Sequence, residues 1–215
     1  MAKFETLKVT GFYEAMWGMR APLKSYNKFD TKINNVTGTV TIGPNDYKLA
    51  KSLWLGGTEH RKYLRQIWVW ADIYAPRFWW SEYDTYRIGT AANSESTMHK
   101  ILKEDFTEDE FEWPRFENSD WDIEAEFRNY LDLLKTVRDR ANKCSGQDKE
   151  RMQQILKSML PESFIQKRSV NLNYETLATM YRQRKNHRLP QWREDFVSWV
   201  ETLPYSEFIT GTFDE

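Results

Sequence analysis

Between Ile67 and Tyr74 apolar and polar positions follow a period of two, with Ile67, Val69, Ala71 and Ile73 on one side and Trp68, Trp70, Asp72 and Tyr74 on the other. That alternation predicts a strand. Ala75-Pro76 stops it, because proline lacks the N–H that a ladder needs. Arg77 to Tyr86 then reads as a helix with Phe78, Trp79 and Tyr83 on one side. Arg87-Ile88-Gly89-Thr90 leads into a polar loop, Asn93-Ser94-Glu95-Ser96-Thr97. An aromatic strand, an aromatic helix and a hydroxyl-rich loop in succession would build the wall, floor and rim of a site for a planar ligand with phosphates. A plain aromatic core under a polar surface loop has the same pattern.

Residues 5–13 suggest an edge strand, and 34–43 a second strand carrying Val36, Val40 and Ile42 among threonines. Gly43-Pro44-Asn45 ends it; Asn45 or Asp46 caps a helix to Leu55, and Gly56-Gly57 stops that helix. Thr58 caps a further helix from Glu59 to Gln66. From Glu104 to Glu126 the chain is acidic, with Pro114 as a breaker, and reads as solvated surface. Asp122 to Arg140 is an amphipathic helix with a stripe of Ile123, Phe127, Tyr130, Leu134 and Val137. Cys144-Ser145-Gly146 turns the chain into a second helix, 148–160, with Met152, Ile155, Leu156 and Met159 buried, giving an antiparallel helical hairpin. Further on, Asn173, Leu177, Met180, Tyr181 and Arg184 fall on one helical face. An arginine on such an apolar face needs a carboxylate partner or an anionic or carbonyl-rich ligand.

Composition narrows the classes. The 215 residues suffice for a real core, and a net charge of −1 points to neither direct nucleic-acid binding nor a membrane surface. Ten Trp, eleven Tyr and twelve Phe make stacking surfaces plentiful. A single cysteine, Cys144, excludes an intrachain disulfide and a cysteine zinc cage, and no metal site is expected. The N-terminus carries no long apolar run, so a soluble cytoplasmic protein is expected. No Gly-rich phosphate loop or nucleophile elbow is present.

Two stretches resemble the flavin-dependent thymidylate synthases. In that family a strand ending in Ala-Pro is followed by Arg-His-Arg-x-x-Ser and then Asn-Glu-x-Ser-x-Arg-Tyr. Here Ala75-Pro76 stands at the right distance from Thr85-Tyr86-Arg87-x-x-Thr90 and, after one extra loop residue, Asn93-x-x-Ser96. His60 lies at the offset of the family's flavin-contacting histidine, although its plain reading is an exposed histidine at a helix start. The second match runs from Leu160-Pro161 through Lys167, Asn173 and Leu177 to Arg184 without a gap, and reaches Gln191-Trp192 after one inserted residue. The resemblance covers about 60–193, and its details are similar to diverged copies carried by bacteriophages.

The resemblance implies an α+β fold, an antiparallel sheet flanked by helices with an inserted helical hairpin at about 104–160, like the thymidylate synthase-complementing proteins, in one domain over 1–215. It implies conversion of dUMP to dTMP, or a related C5 change on a pyrimidine, with FAD, NADPH and methylenetetrahydrofolate. Arg184 would hold the uracil carbonyl as the catalytic group; Lys167, Ser96 and Glu82 would bind the deoxyuridine nucleotide. His60, Arg87, Thr90, Asn93, Asn173 and His187 would contact the flavin. A homotetramer in the cytoplasm, the host's if the chain is phage-encoded, is implied as well. The family needs no cysteine nucleophile, which agrees with Cys144 lying in a turn.

The departures are specific. Thr85, Tyr86, Glu82 and Glu175 stand where the family has arginine, histidine, glutamine and arginine, and Met98 or His99 replaces the arginine closing the first motif. Each lost charge-assisted hydrogen bond removes roughly 1.5–3 kcal/mol, about tenfold to a hundredfold in affinity. Two readings therefore stand. One is the enzyme; the other is a non-catalytic phage descendant that has lost FAD and binds a nucleotide or a host protein. For Arg184 the alternative to a ligand contact is a structural salt bridge to the acidic segment.

Overall fold

A computed structural model of the chain describes residues 1–113 and 122–213. The Pro114 break, and the part of the acidic run over 114–121, lie outside the described residues. The strands are β1 (Lys3–Thr10), β2 (Lys32–Ile33), β3 (Val40–Thr41), β4 (Trp68–Pro76), β5 (Thr90–Ser94) and β6 (Ile165–Asn173). The helices are α1 (Phe12–Gly18), α2 (Pro44–Leu55), α3 (Arg77–Tyr83), α4 (Thr97–Lys100), α5 (Ile123–Lys143), α6 (Gly146–Met159), α7 (Tyr174–Arg184), α8 (Val197–Glu201) and α9 (Glu207–Thr210).

The main sheet has the order β1-β4-β6-β5, and β2 and β3 form a separate two-stranded ribbon. The bonds that flank the main strands make the sheet antiparallel. Tyr174 N–H, just after β6, donates to Ile67 O just before β4, whereas Arg77 N–H, just after β4, donates to Phe164 O just before β6. β5 runs opposite to β6 in the same way, through Asn173 N–H to Gly89 O and Glu95 N–H to Lys167 O. The result is an α+β fold with an antiparallel sheet flanked by helices, as the family resemblance implies.

Two compact units divide the chain. The first comprises Met1–Ile73, Tyr83–Asn93 and Arg168–Glu215. Its core contains Ile67, Val69, Ala71 and Ile73, all at most 1% exposed, so the period-two pattern of β4 is realised as read. β1 is an edge strand and passes through Gly11 into α1. Gly11 has φ +95°, and a Cβ there would lie 2.1 Å from Gln66 O, so only glycine fits this close approach. Asp46, in the first turn of α2, is fully buried. It accepts from Arg20 Nε at 2.8 Å, from the Thr31 hydroxyl at 2.7 Å and from the Thr31 N–H at 2.8 Å.

Three expectations are corrected in this unit. The strand over 34–43 shrinks to β3, and Val36 is 94% exposed. The Asn34 carboxamide accepts from Val36 and Thr37 N–H and closes a turn there, so side-chain hydrogen bonding overrides the β propensity of the Val and Thr residues. α2 starts at Pro44, capped by Gly43, and Asp46 serves the interior instead of the cap. The helix over 59–66 is only a 3-10 turn, Lys62–Gln66, because the chain bends at Gly57 (φ +112°) and the Thr58 hydroxyl turns to Glu59.

The second unit comprises Tyr74–Glu82 and Ser94–Lys167. α5 is capped by Asp122, whose carboxylate accepts from Ala125 N–H at 2.9 Å. α5 and α6 form the expected hairpin, joined by a short turn after Lys143. Phe127, Leu131 and Leu134 of α5 and Leu156 of α6 pack with Ile101, Phe106, Phe111, Leu160 and Phe164 in one apolar cluster. Two aromatic residues of the acidic run, Phe106 and Phe111, are thus interior, whereas Thr107, Glu108 and Asp109 between them are exposed. The stripe on α6 is narrower than read, since Ile155 is 49% exposed. α3 ends at Tyr83, three residues short of Tyr86. Within it Trp79 and Trp80 are buried, whereas Phe78 is half-buried. The Trp80 indole donates to Gln166 O at 2.9 Å.

Asp46→Ala is expected to cost about 3–5 kcal/mol, because it leaves the Arg20 guanidinium buried without its carboxylate. Burial works against ionisation of Asp46, but the Thr31, Asp30 and Arg20 hydrogen bonds outweigh it and hold the carboxyl below its ordinary 3.8. The stabilisation is therefore present above that pH and lost as pH falls through the folded value. Urea denaturation of both proteins at pH 7 and near pH 3 measures it; equal midpoints at pH 7 would refute the assignment.

Candidate functional site

The site in the first unit is built where β6 hands over to α7. Asn173 closes β6 and caps α7, its carboxamide oxygen accepting from Thr176 N–H at 2.9 Å. Its own N–H donates to Gly89 O at 3.1 Å, and the Thr176 hydroxyl reaches Ile88 O at 2.8 Å. Gly89 has φ +72°, and a Cβ there would lie 2.2 Å from Asn173 Nδ2, so the segment can lie this close only as glycine. The consequence is that Thr85 to Ile88 run along the start of α7 and leave a hollow of about 450 Å³. Arg65, Arg87, Tyr86, Asn173, Glu175 and Thr179 are among its lining residues.

Its charges are arranged in layers. The Glu175 side chain is only 14% exposed and meets Arg61 Nε at 3.4 Å. Burial raises the Glu175 pKa, while Arg61, Arg65 and Arg182 oppose the rise. Arg61 is itself buried and lies over the Trp54 ring at 5.1 Å. Arg65 and Arg87 are exposed at the hollow.

Arg184, at the end of α7, is tied to the same hollow through Tyr86. Its Nε donates to the Tyr86 hydroxyl at 2.8 Å, and that hydroxyl donates to Gln183 Oε1 at 2.8 Å. The guanidinium carbon lies 5.4 Å from the Tyr86 ring centroid and 5.0 Å from that of Trp192. Trp192 is fully buried and sits near the start of a π-helical segment, Gln191–Phe196; just before that segment, Leu189 O accepts from both Trp192 and Arg193 N–H.

Of the residues read from the sequence, Arg87 and Asn173 line the hollow directly. Thr90 supports it, its hydroxyl donating to Tyr86 O at 2.7 Å. His187 follows α7, its Nδ1 accepting from Leu189 N–H at 3.2 Å. His60 is exposed in a turn beside Gly56, and Asn93 is exposed on β5; neither is among the residues lining the hollow. The polar loop expected around Asn93 is in part the strand β5. Arg61, Arg65, Thr176 and Thr179 were not anticipated. The signal was Glu175, a carboxylate in the first turn of an apolar helix that has to find a cation.

Lys167, Ser96 and Glu82 belong to the second unit. Lys167 Nζ lies 5.2 Å from the Tyr74 ring centroid. Ser96 caps α4, its hydroxyl accepting from His99 N–H at 3.4 Å. Glu82 is half-buried in α3. Ser96 and Tyr74 line a hollow of about 240 Å³ in this unit, together with Lys100, Glu104, Glu110 and Gln166. Glu110 accepts from Thr107 N–H at 2.9 Å in a capping box. Burial, a hydrogen bond with the Glu110 carboxyl and that group's charge push Glu104 up to about 7. Among the described residues, no group of three or more His, Cys, Asp or Glu is arranged to hold a metal ion. None of their helices is long and apolar enough to cross a membrane.

No family model matches the sequence, and neither does any curated protein. The fold does match. A crystal structure of thymidylate synthase X (ThyX) from Helicobacter pylori with FAD and dUMP superposes with a TM-score of 0.69 at 17% identity, over 98% of this chain and 98% of that one. A second structure of the flavin-dependent enzyme from the same organism, also complexed with FAD and dUMP, gives 0.69 at 16% identity over 99% and 100%. The chain therefore has a ThyX-like fold along nearly its whole length.

The Glu104–Glu110 pair makes a pH prediction. Because folded Glu104 keeps its proton up to about 7 against an ordinary 4.5, stability should fall as pH rises between these values and level off above. Glu104→Gln should remove that slope and raise the urea midpoint at pH 8. Parallel pH profiles of wild type and variant would contradict it.

Proposed function

We propose that this chain is a flavin-dependent thymidylate synthase-like enzyme that converts dUMP to dTMP, or makes a related change at C5 of the pyrimidine, with FAD, NADPH and methylenetetrahydrofolate. The observation that carries this reading is the match, over nearly the whole chain, to a fold that was solved with FAD and dUMP. The hollow at the start of α7 supports it, since it occurs where both sequence resemblances converge.

The residues at this hollow fit an anionic, planar group. Two exposed guanidiniums, Arg65 and Arg87, face one carboxylate that Arg61 already pairs, and the Tyr86 ring supplies a flat surface. In this reading Arg87 and Asn173 hold FAD, with His60, Thr90, Asn93 and His187 as further contacts. FAD held there would supply hydride in its reduced state. Arg184 holds the uracil carbonyl and stabilises the negative charge that develops on it; a guanidinium does so without ever giving up its own proton. Lys167, Ser96 and Glu82 are proposed as nucleotide contacts, each to be tested by its own variant. Lysine at 167 offers a point charge instead of a planar fork, so base recognition there is looser. A homotetramer belongs to the same proposal.

A specific observation favours a second reading. Thr85 and Tyr86 replace an arginine and a histidine of the family motif, and the Tyr86 hydroxyl engages Arg184. In that case FAD is lost, and the protein holds a nucleotide or a host protein without catalysis.

Purified protein that is yellow, binds dUMP in calorimetry and forms dTMP when given NADPH and methylenetetrahydrofolate would establish the enzyme. Colourless protein that takes up no FAD but still binds dUMP would establish the second reading. Arg184→Ala should weaken dUMP binding about tenfold to a hundredfold; unchanged affinity would remove Arg184 from the site.

A further inference from the structure

We infer that Tyr86 is a positioning residue, which together with Trp192 holds the Arg184 guanidinium in one orientation before any ligand arrives. An arginine side chain at a helix end is ordinarily among the most mobile groups of a protein. Here three contacts act on it at once. The Tyr86 hydroxyl takes the Nε proton, the Tyr86 ring lies 5.4 Å from the guanidinium carbon, and the Trp192 ring lies 5.0 Å from it. The phenol is oriented in turn, because its own proton goes to Gln183 Oε1. A hydroxyl that accepts from one neighbour and donates to the other cannot rotate without losing both bonds.

The backbone reinforces this arrangement from the other side. The segment that carries Trp192 is π-helical, and such turns recur at functional sites. Trp192 itself is fully buried and packs edge-on against Phe196 at 5.1 Å, so the ring beneath Arg184 is anchored. Engaging Nε also decides how Arg184 can meet a carbonyl. With its Nε–H given to Tyr86, the side-on fork that includes Nε is not presented to a carbonyl. Fixing the group in advance lowers the cost of ordering it on binding.

The clamp can be tested without any ligand, while its effect on binding rests on the function proposed above. The probe is ¹⁵N relaxation of the arginine Nε–H groups in the free protein, with Tyr86→Phe as the isosteric variant. We expect the Arg184 Nε–H order parameter to be near that of rigid backbone, about 0.85, and to drop below about 0.6 in Tyr86→Phe. Arg182 should not change. Tyr86→His should restore the high value, because a neutral imidazole also accepts at one nitrogen and donates at the other. A low value in the wild type, or no drop in Tyr86→Phe, overturns the inference. In calorimetry the dUMP dissociation constant should rise about tenfold in Tyr86→Phe and recover in Tyr86→His. A wild type that binds no dUMP defeats the functional reading alone, and the relaxation comparison still decides the clamp.

Discussion

The site of the first unit depends on the crossing of Gly89 and Asn173. One residue there ends a strand, caps a helix and accepts no side chain opposite it. With a Cβ at 89 the segment from Thr85 to Ile88 could not lie along α7. Tyr86 would not reach Arg184, and Arg87 would not share a hollow with Glu175. A backbone constraint at two positions thus places four functional groups whose own side chains exert little force on the fold.

The charged groups of the first unit separate into those buried in its interior and those exposed at the hollow. Asp46 and Arg20 are both buried and satisfied by neighbours in the interior. Arg61 and Glu175 form an intermediate layer, close enough at 3.4 Å to offset one another yet placed at the edge of the hollow. Arg65 and Arg87 lie outside them and remain solvated. Without Arg61, the burial that raises the Glu175 pKa would go less opposed. The second unit relies instead on an apolar cluster between α5, α6 and the aromatic residues of the acidic run. Glu104 in this unit has its pKa raised first by burial and then by the hydrogen bond with Glu110 and that group's charge.

At 16–17% identity the ThyX-like fold is shared as a backbone arrangement, with few side chains in common with the matched structures. Three of the positions that differ from the family's motifs, Thr85, Tyr86 and Glu175, line one hollow together with Arg87 and Asn173, whereas Glu82 and Met98 or His99 belong to the second unit. Arg184 bonds to Tyr86. The changes are thus coupled through space: the phenol at 86 and the arginine at 184 satisfy each other, and the carboxylate at 175 is met by a buried arginine at 61.

The sequence by itself determined the elements whose apolar positions repeat with a clear period. β4, α5 and the buried face of α7 are where the alternation and the stripes put them, because burial of one face is a local property of spacing. Its register also pointed to Arg87 and Asn173, which line the hollow. The tertiary structure alone decided the rest. β5 and β6 carry mostly polar residues, and what makes them strands is their hydrogen bonding to neighbours distant in the chain. Val36 had the propensity for a strand but lost to an asparagine two residues away. Arg61 and Arg65 became part of the site only because folding brought the first turn of α7 to them, and Tyr86 found Arg184 across ninety-eight residues of chain. Periodicity reports which face of an element is buried; it carries no information about which distant partner will meet it there.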